Sequence, residues 1–223
     1  LDHYVNLFTD SRTWGPIWNS IEMSTIAVIG NIIFGVAAAY AMVRYNFRGK
    51  VFMDILIMVP WALPGTVVAV NLISAFSEPN LFGFNQVLVG TFWILPLAYF
   101  VRQLPLVFRN SQASLIQMDE SIEEAAHSLG ATWYSFRKIV LPIIMPGIIA
   151  GTLLAFVQGL TEFVASILIY TPSTMPLSVG IWNKLYSFEF GTACAYGVLQ
   201  MVLIIAVLTI NEKIKGDSTN TVM

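Results

Sequence analysis

Five stretches of this chain are apolar for about the length needed to cross a bilayer, and nothing else in it constrains the fold as strongly. They cover residues 18–43, 51–75, 87–108, 143–169 and 192–211. A bilayer core takes roughly 20 apolar residues in a helix. Only 11% of the residues are charged and 57% are hydrophobic, whereas a soluble domain carries about 25% charged residues. The chain therefore reads as an all-α polytopic membrane protein with about five transmembrane helices.

Within the runs, the residues that break or tighten helices have definite places. Gly30, Gly35 and Ala37-Ala38-Ala39 lie in the first run, where small side chains let helices approach closely in lipid. Pro60, Pro64 and Gly65 predict a kink or break in the second. Kinks are expected near Pro96 and Pro105 in the third, and Pro146 is placed in the first turn of the fourth. Gly147-x-x-x-Gly151 fits close packing, most simply inside this one chain. Residues 76–86 form a loop with Pro79, Asn80 and Gly83, and 170–191 form a connection rich in Pro, Ser, Thr and aromatics.

Lys and Arg set the orientation. Arg44, Arg48, Lys50, Arg102, Arg109, Arg137, Lys138, Lys213 and Lys215 fall on one side, against Arg12 and Lys184 on the other. The expected topology puts the N-terminus outside and the C-terminus in the cytoplasm. Residues 1–16 are then an extracytoplasmic lead-in, 17–212 the membrane domain and 213–223 a cytoplasmic tail. The chain begins with Leu, and no basic stretch followed by a short apolar core opens it as a signal peptide would. It reads as part of a longer polypeptide or as an incomplete N-terminus.

The connection 109–142 is the longest amphipathic interruption, and its length points to function. Ser114-x-x-Gln117 and Ser121-x-x-Glu124 both fit a capping box. After Ser121, the residues Ile122, Ala125, Ala126 and Leu129 recur at helical spacing and form one narrow apolar stripe. Gly130 stands where a left-handed residue would end that helix. Thr132 would cap a second short helix carrying Trp133, Phe136 and Val140 on one face. Such helices could lie on the membrane surface. The acidic residues Asp119, Glu120, Glu123 and Glu124 favour instead a protein partner with a groove.

The run Glu124-Ala125-Ala126, then Gly130, then Ile139-Val140-Leu141-Pro142, resembles the EAA signature of binding-protein-dependent ABC importer permeases of the MetI-like superfamily. Eight residues (131–138) separate the Gly from the Ile, one fewer than the usual nine. The likeness extends over most of the chain, including Pro60-Trp61-Ala62-Leu63-Pro64-Gly65. It implies that the loop is a coupling helix docking into a separate ATP-binding subunit. Glu124, Ala125, Ala126 and Gly130 would then be the coupling residues, with Ile122 and Leu129 on the docking stripe. The implied partners are two ATP-binding subunits, a second permease half (fused or separate) and an extracytoplasmic binding protein. The implied place is a bacterial inner membrane, with lipid as surroundings.

The segment from Gln158 through Tyr170 to Trp182, with Gly191–Gly197, is similar to ferric-iron-type permeases, whose chains often hold two such halves in tandem. The opening Leu1-Asp2-His3-Tyr4 resembles the start of a second half. Ferric iron is thus the expected substrate. Polyamine, sulfate, thiamine and organophosphate permeases are the alternatives within the class.

Other chemistry finds little support. No P-loop pattern occurs, and no His-Glu-x-x-His. Cys194 is the single cysteine, and His3 and His127 fall on opposite sides. No enzyme activity, cofactor, metal site or nucleic-acid partner is expected. A stand-alone secondary transporter would need intramembrane carboxylates, and the spans offer Glu162; Glu22 and Asp54 lie near span ends. Glu162, with Gln158 one turn earlier, is the candidate lining of a translocation pathway. Replacing Glu162 by Gln is expected to impair transport without loss of folded protein.

Overall fold

The computed structural model describes residues 5, 7, 9, 11–83, 85–119, 121, 122, 124 and 136–220; the side chains of 11, 12, 136 and 214–220 fall outside that description. The helices are α1 (Ser11–Arg44), α2 (Lys50–Ala62), α3 (Gly65–Phe76), α4 (Ile94–Gln117), α5 (Leu141–Thr161), the short α6 (Ser166–Ile169), α7 (Leu177–Tyr186) and α8 (Phe190–Asn220). No strand occurs among the described residues.

Among those residues, α1, the stretch Arg137–Thr161 and α8 are long and apolar enough to cross a membrane, and α2 with α3 adds a fourth if the bent pair crosses as one. Large apolar side chains cover the outside. Phe34, Phe52, Trp61, Val202 and Ile205 are each more than half exposed, a surface suited to lipid rather than water. The remaining expected span, the third run (α4), is long enough but carries Arg102, Gln103, Arg109 and Asn110. Its polar groups have protein partners or are buried: Gln103 is buried, Asn110 donates to the Leu106 carbonyl, and both arginines, of which Arg109 is the more exposed, meet carboxylates. A helix at the centre of a bundle can be more polar than one facing lipid.

Close contacts fix how the helices pack. A Cβ on Gly30 would lie 2.9 Å from the Phe100 ring, and one on Gly35 would lie 3.2 Å from the Phe108 amide nitrogen. Both numbers rise together along α1 and α4, so these helices run parallel. A Cβ on Gly151 would lie 3.0 Å from the Leu106 carbonyl and the Val107 Cα, and one on Gly147 would collide with the Ser114 hydroxyl. Here the numbers run in opposite directions, so α4 and α5 are antiparallel at backbone contact. This bears out the Gly147-x-x-x-Gly151 motif as packing within the chain. Without a hydrophobic drive between helices in lipid, such close van der Waals contact is what holds them. The loop-end core gathers Ala39, Met42, Val107, Phe108, Leu115 and Ile144. A second cluster joins Met23, Leu72, Ile94, Leu95, Tyr99 and Ala165.

The ends of several runs differ from the sequence reading, each for a local reason. The second run does break, with a bend of 110° between α2 and α3. Pro60 stays inside α2, and Pro64 precedes the first residue of α3 with an extended ψ of 142°. The third helix starts at Ile94, not 87, because Gly90 adopts φ +81° in a turn where Thr91 bonds the Leu88 carbonyl. It runs unbroken past Pro105 to Gln117. Pro96 sits in its first turn, where a missing N–H matters least. Ser114-x-x-Gln117 is therefore the last turn of α4 and caps nothing. The fourth helix starts at Leu141, which puts Pro146 beyond the first turn, and it stops at Thr161. The expected loop 170–191 contains α7.

Candidate functional site

The loop carrying the signature leaves α4 at Met118, which is buried. Ser121, Ile122 and Glu124 are helical, and Ile122 and Glu124 are exposed. The cap of this helix is Asp119 rather than Ser121. Its Oδ1 accepts the Ser121 N–H at 2.9 Å, and its carbonyl accepts the Ile122 N–H at 3.3 Å. That backbone bond, together with the Ser121 side chain, lowers the Asp119 pKa below the ordinary carboxylate range. An aspartate two residues before a helical N–H is a standard cap; the sequence reading placed the cap two residues late. Ala125, Ala126, Leu129, Gly130 and Thr132 lie outside the described residues. On the far side of the loop, a π-helical turn at Phe136–Val140 feeds into α5, with Val140 buried.

Glu162 sits at the other end of α5, where the helix stops. Its ψ of 108° takes the chain out of the helix. The side chain is 8% exposed and both carboxylate oxygens are bonded. Oε2 accepts from Arg102 Nε at 2.9 Å, and Oε1 accepts from the Ala165 N–H at 3.0 Å, at the start of α6. The Glu162 carbonyl accepts from Ser166 Oγ and Ser178 Oγ, both at 2.8 Å. Ser166 Oγ is also 2.8 Å from the Tyr99 hydroxyl. The Ser166 proton is committed to the carbonyl, so Tyr99 donates. One residue thus ties together α4, α5, α6 and α7.

Arg102 completes the arrangement. Its Nη1 is buried and finds no hydrogen-bond partner among the described residues. It lies against the bend of the broken helix: a Cβ on Gly65 would stand 2.9 Å from Arg102 Nη1 and 3.0 Å from Val164 Cβ. Two helix breaks, one before Gly65 and one after Thr161, therefore meet at one ion pair.

The sequence reading placed Gln158 on one face with Glu162. The structure separates them, with Gln158 exposed and Glu162 buried. The i, i+4 argument assumes a helix continuing through residue 162, and the helix ends one residue earlier. Asp54 pairs with Arg109 at 2.8 Å, and Glu22 is exposed on α1. Arg102, Tyr99, Ser166, Ser178 and Gly65 were not singled out as site residues. The signal in the sequence is an arginine inside an apolar run, which charge counting assigns to topology alone.

Comparison with known proteins places this geometry. Residues 31–214 match the family described as binding-protein-dependent transport system inner membrane component. The chain is 31% identical over 222 residues to the ferric transport system permease protein FbpB of Actinobacillus pleuropneumoniae, a match covering 98% of this chain and 32% of that protein. It therefore spans about a third of that relative's length. It is 34% identical over 201 residues to the sulfate transport system permease protein CysT of Escherichia coli (strain K12), covering 86% of this chain and 73% of that one. Its fold matches, at a TM-score of 0.77 and 18% identity, a bacterial ABC transporter involved in the import of the acidic polysaccharide alginate, over 96% of this chain and 83% of that one.

Proposed function

The chain belongs to the family of binding-protein-dependent transport system inner membrane components, and on that premise we propose that it forms a membrane-spanning half of an ATP-driven importer. Substrate reaches it on an extracytoplasmic binding protein, and a separate subunit hydrolyses ATP. The observation that carries this reading is the family match itself, which runs from Asn31 through the signature loop into α8.

The helix directions support a cytoplasmic loop. The parallel α1 and α4 bring Arg44 and Arg109 toward the end from which the loop leaves. Tyr196 of α8 donates to the Thr13 carbonyl at 2.9 Å, so α8 runs from the far end back toward the loop end, carrying Lys213 with it. Basic residues gathered at one end mark the cytoplasmic side. On this reading the exposed helical residues Ser121, Ile122 and Glu124, together with Ala125, Ala126, Leu129 and Gly130 of the same signature, dock into the ATPase.

We propose ferric iron as the substrate. The match to the ferric permease covers nearly the whole chain, whereas the sulfate match covers less of it at slightly higher identity. Sulfate is the second reading, on the strength of that identity. The test has two parts. Glu124→Arg should abolish co-purification of the ATPase subunit from membranes of cells making both, and retained binding with normal uptake would remove the docking role. Membrane vesicles holding the assembled complex, offered radiolabelled ferric iron and sulfate with ATP, should accumulate iron; accumulation of sulfate alone would overturn the assignment.

A further inference from the structure

We infer that the Arg102–Glu162 pair is the mechanical joint through which movement of the loop-bearing helices α4 and α5 reaches the far-end segment 162–186. The inference rests on the transport reading above and assigns positioning roles to two residues that touch no substrate in it.

The geometry is that of a stiff lever with one fastening at its tip. Helices α4 and α5 border the signature loop, at Gln117 and Leu141. Gly147 and Gly151 bring α5 into backbone contact with α4 near the loop. At Gly151 the facing Leu106 carbonyl and Val107 Cα are backbone and cannot swing aside, so the pair moves as a unit. At the other end, α4 holds residues 162–166 through Tyr99 to Ser166 and Arg102 to Glu162. These two donors lie three residues apart, on neighbouring turns of one face. A slide or rotation of α4 by half a turn would break both bonds.

Glu162 then distributes the motion. Its carboxylate holds the Ala165 N–H just before α6, and its carbonyl holds Ser178 at the start of α7. Where Arg102 moves, the break, α6 and α7 follow. The fastening is also the seat of the α2–α3 bend, through the contact of Arg102 Nη1 with Gly65. A charged pair suits this task better than an apolar contact. It is costly to separate in a low-dielectric setting, and the single charge-assisted bond from Arg102 Nε to Glu162 Oε2 fixes direction as well as distance.

The experiment uses the full-length protein reconstituted in liposomes with its ATPase and binding-protein partners, ferric iron and sulfate being offered separately. Hydrolysis and uptake are measured together. Glu162→Gln and Arg102→Gln should keep ATP hydrolysis within about twofold of wild type while uptake falls about tenfold or more, raising the ATP spent per substrate. The exchanged double variant Arg102→Glu with Glu162→Arg should lower that ratio again. Uptake and hydrolysis falling in proportion, or unchanged uptake, would overturn the joint. If Glu162→Gln fails to insert, Arg102→Lys, which keeps the charge, should show the same raised ratio, and a wild-type ratio there counts against the joint.

A second measurement stands apart from transport. Spin labels on the exposed positions Ile116 and Leu168 span the joint. Their distance distribution should be narrow in the wild-type chain and broad in Glu162→Gln; equal widths would overturn the joint. Wild-type liposomes without ATP-driven uptake of either ion would defeat the transport reading while leaving this second result to judge the joint alone.

Discussion

Helix α4 carries two arginines, seven residues apart on one face, and each meets a carboxylate. Arg102 pairs with Glu162 at 2.9 Å, with side-chain exposures of 22% and 8%. Arg109 pairs with Asp54 at 2.8 Å, with exposures of 42% and 31%. The distances hardly differ, yet the surroundings do. Arg109 also reaches Gln112 and the Met58 sulfur, a loose set of partners near the loop end. It ties down α2, a helix whose only buried residue among those described is Ile57. Arg102 is locked between two helix breaks. Bond length alone therefore says little about what an ion pair does; burial and the number of other groups sharing the carboxylate say more.

The comparison can be broken at four points, taken from the largest expected effect to the smallest. Glu162→Ala strands Arg102 in the interior and removes the α6 cap. It should destabilise the protein by about 3–5 kcal/mol, read as a large fall in thermal unfolding temperature in detergent. A loss no greater than that of Asp54→Ala would erase the distinction between the two arginines. Gly151→Val forces a side chain against the α4 backbone and should cost about 1–3 kcal/mol by overpacking. Normal stability there would mean that α4 and α5 can separate. Asp54→Ala should cost no more than about 1 kcal/mol, as for other partly exposed pairs, and leave α4 in place as judged by the same melting assay.

The smallest effect belongs to Asp119. Its pKa is lowered in the folded chain by the Ser121 N–H, so the cap stabilises the turn above the ordinary carboxylate pKa. That contribution is lost as pH falls through the lowered value. Hydrogen–deuterium exchange, corrected for the intrinsic pH dependence of the rate, should show protection at Ser121 declining on acidification. In Asp119→Asn it should not respond to pH. A response in the variant as large as in wild type would remove the carboxylate from the cap.

Much of the architecture was legible because lipid makes it so. Membrane-length apolar runs gave the helices, and Pro64-Gly65 gave the break between α2 and α3. What the runs concealed were helix ends that hydropathy does not mark. Beyond Arg109, α4 continues as a soluble-type helix, recognisable by the buried positions Phe108, Ser111 and Leu115 at three- and four-residue spacing rather than by apolarity. The stop at Glu162 is invisible in an apolar run that goes on from there to Ile169, with no proline or glycine after Gly159. It is made by one carboxylate capping the next turn, a choice that depends on Arg102 arriving from sixty residues away. Glu162 itself stood out as a charge in a span, but its partner could be found only in three dimensions. The signature loop showed the reverse: local spacing announced it, while its cap fell on Asp119, two residues before the expected serine.

The bend between α2 and α3 has a consequence for the barrier itself. Every helix leaves donors unbonded at its start and acceptors at its end, and this chain has such ends inside a hydrophobic run. The Leu63 N–H still reaches the Val59 carbonyl, and the Val67 and Val68 N–H groups share the Pro64 carbonyl. The first-turn donors of Gly65 and Thr66 have no side-chain cap. At this depth such dipoles must be met by neighbouring protein or by water. A stretch that reads as continuous by hydropathy thus holds backbone donors that hydrocarbon alone would leave unmet.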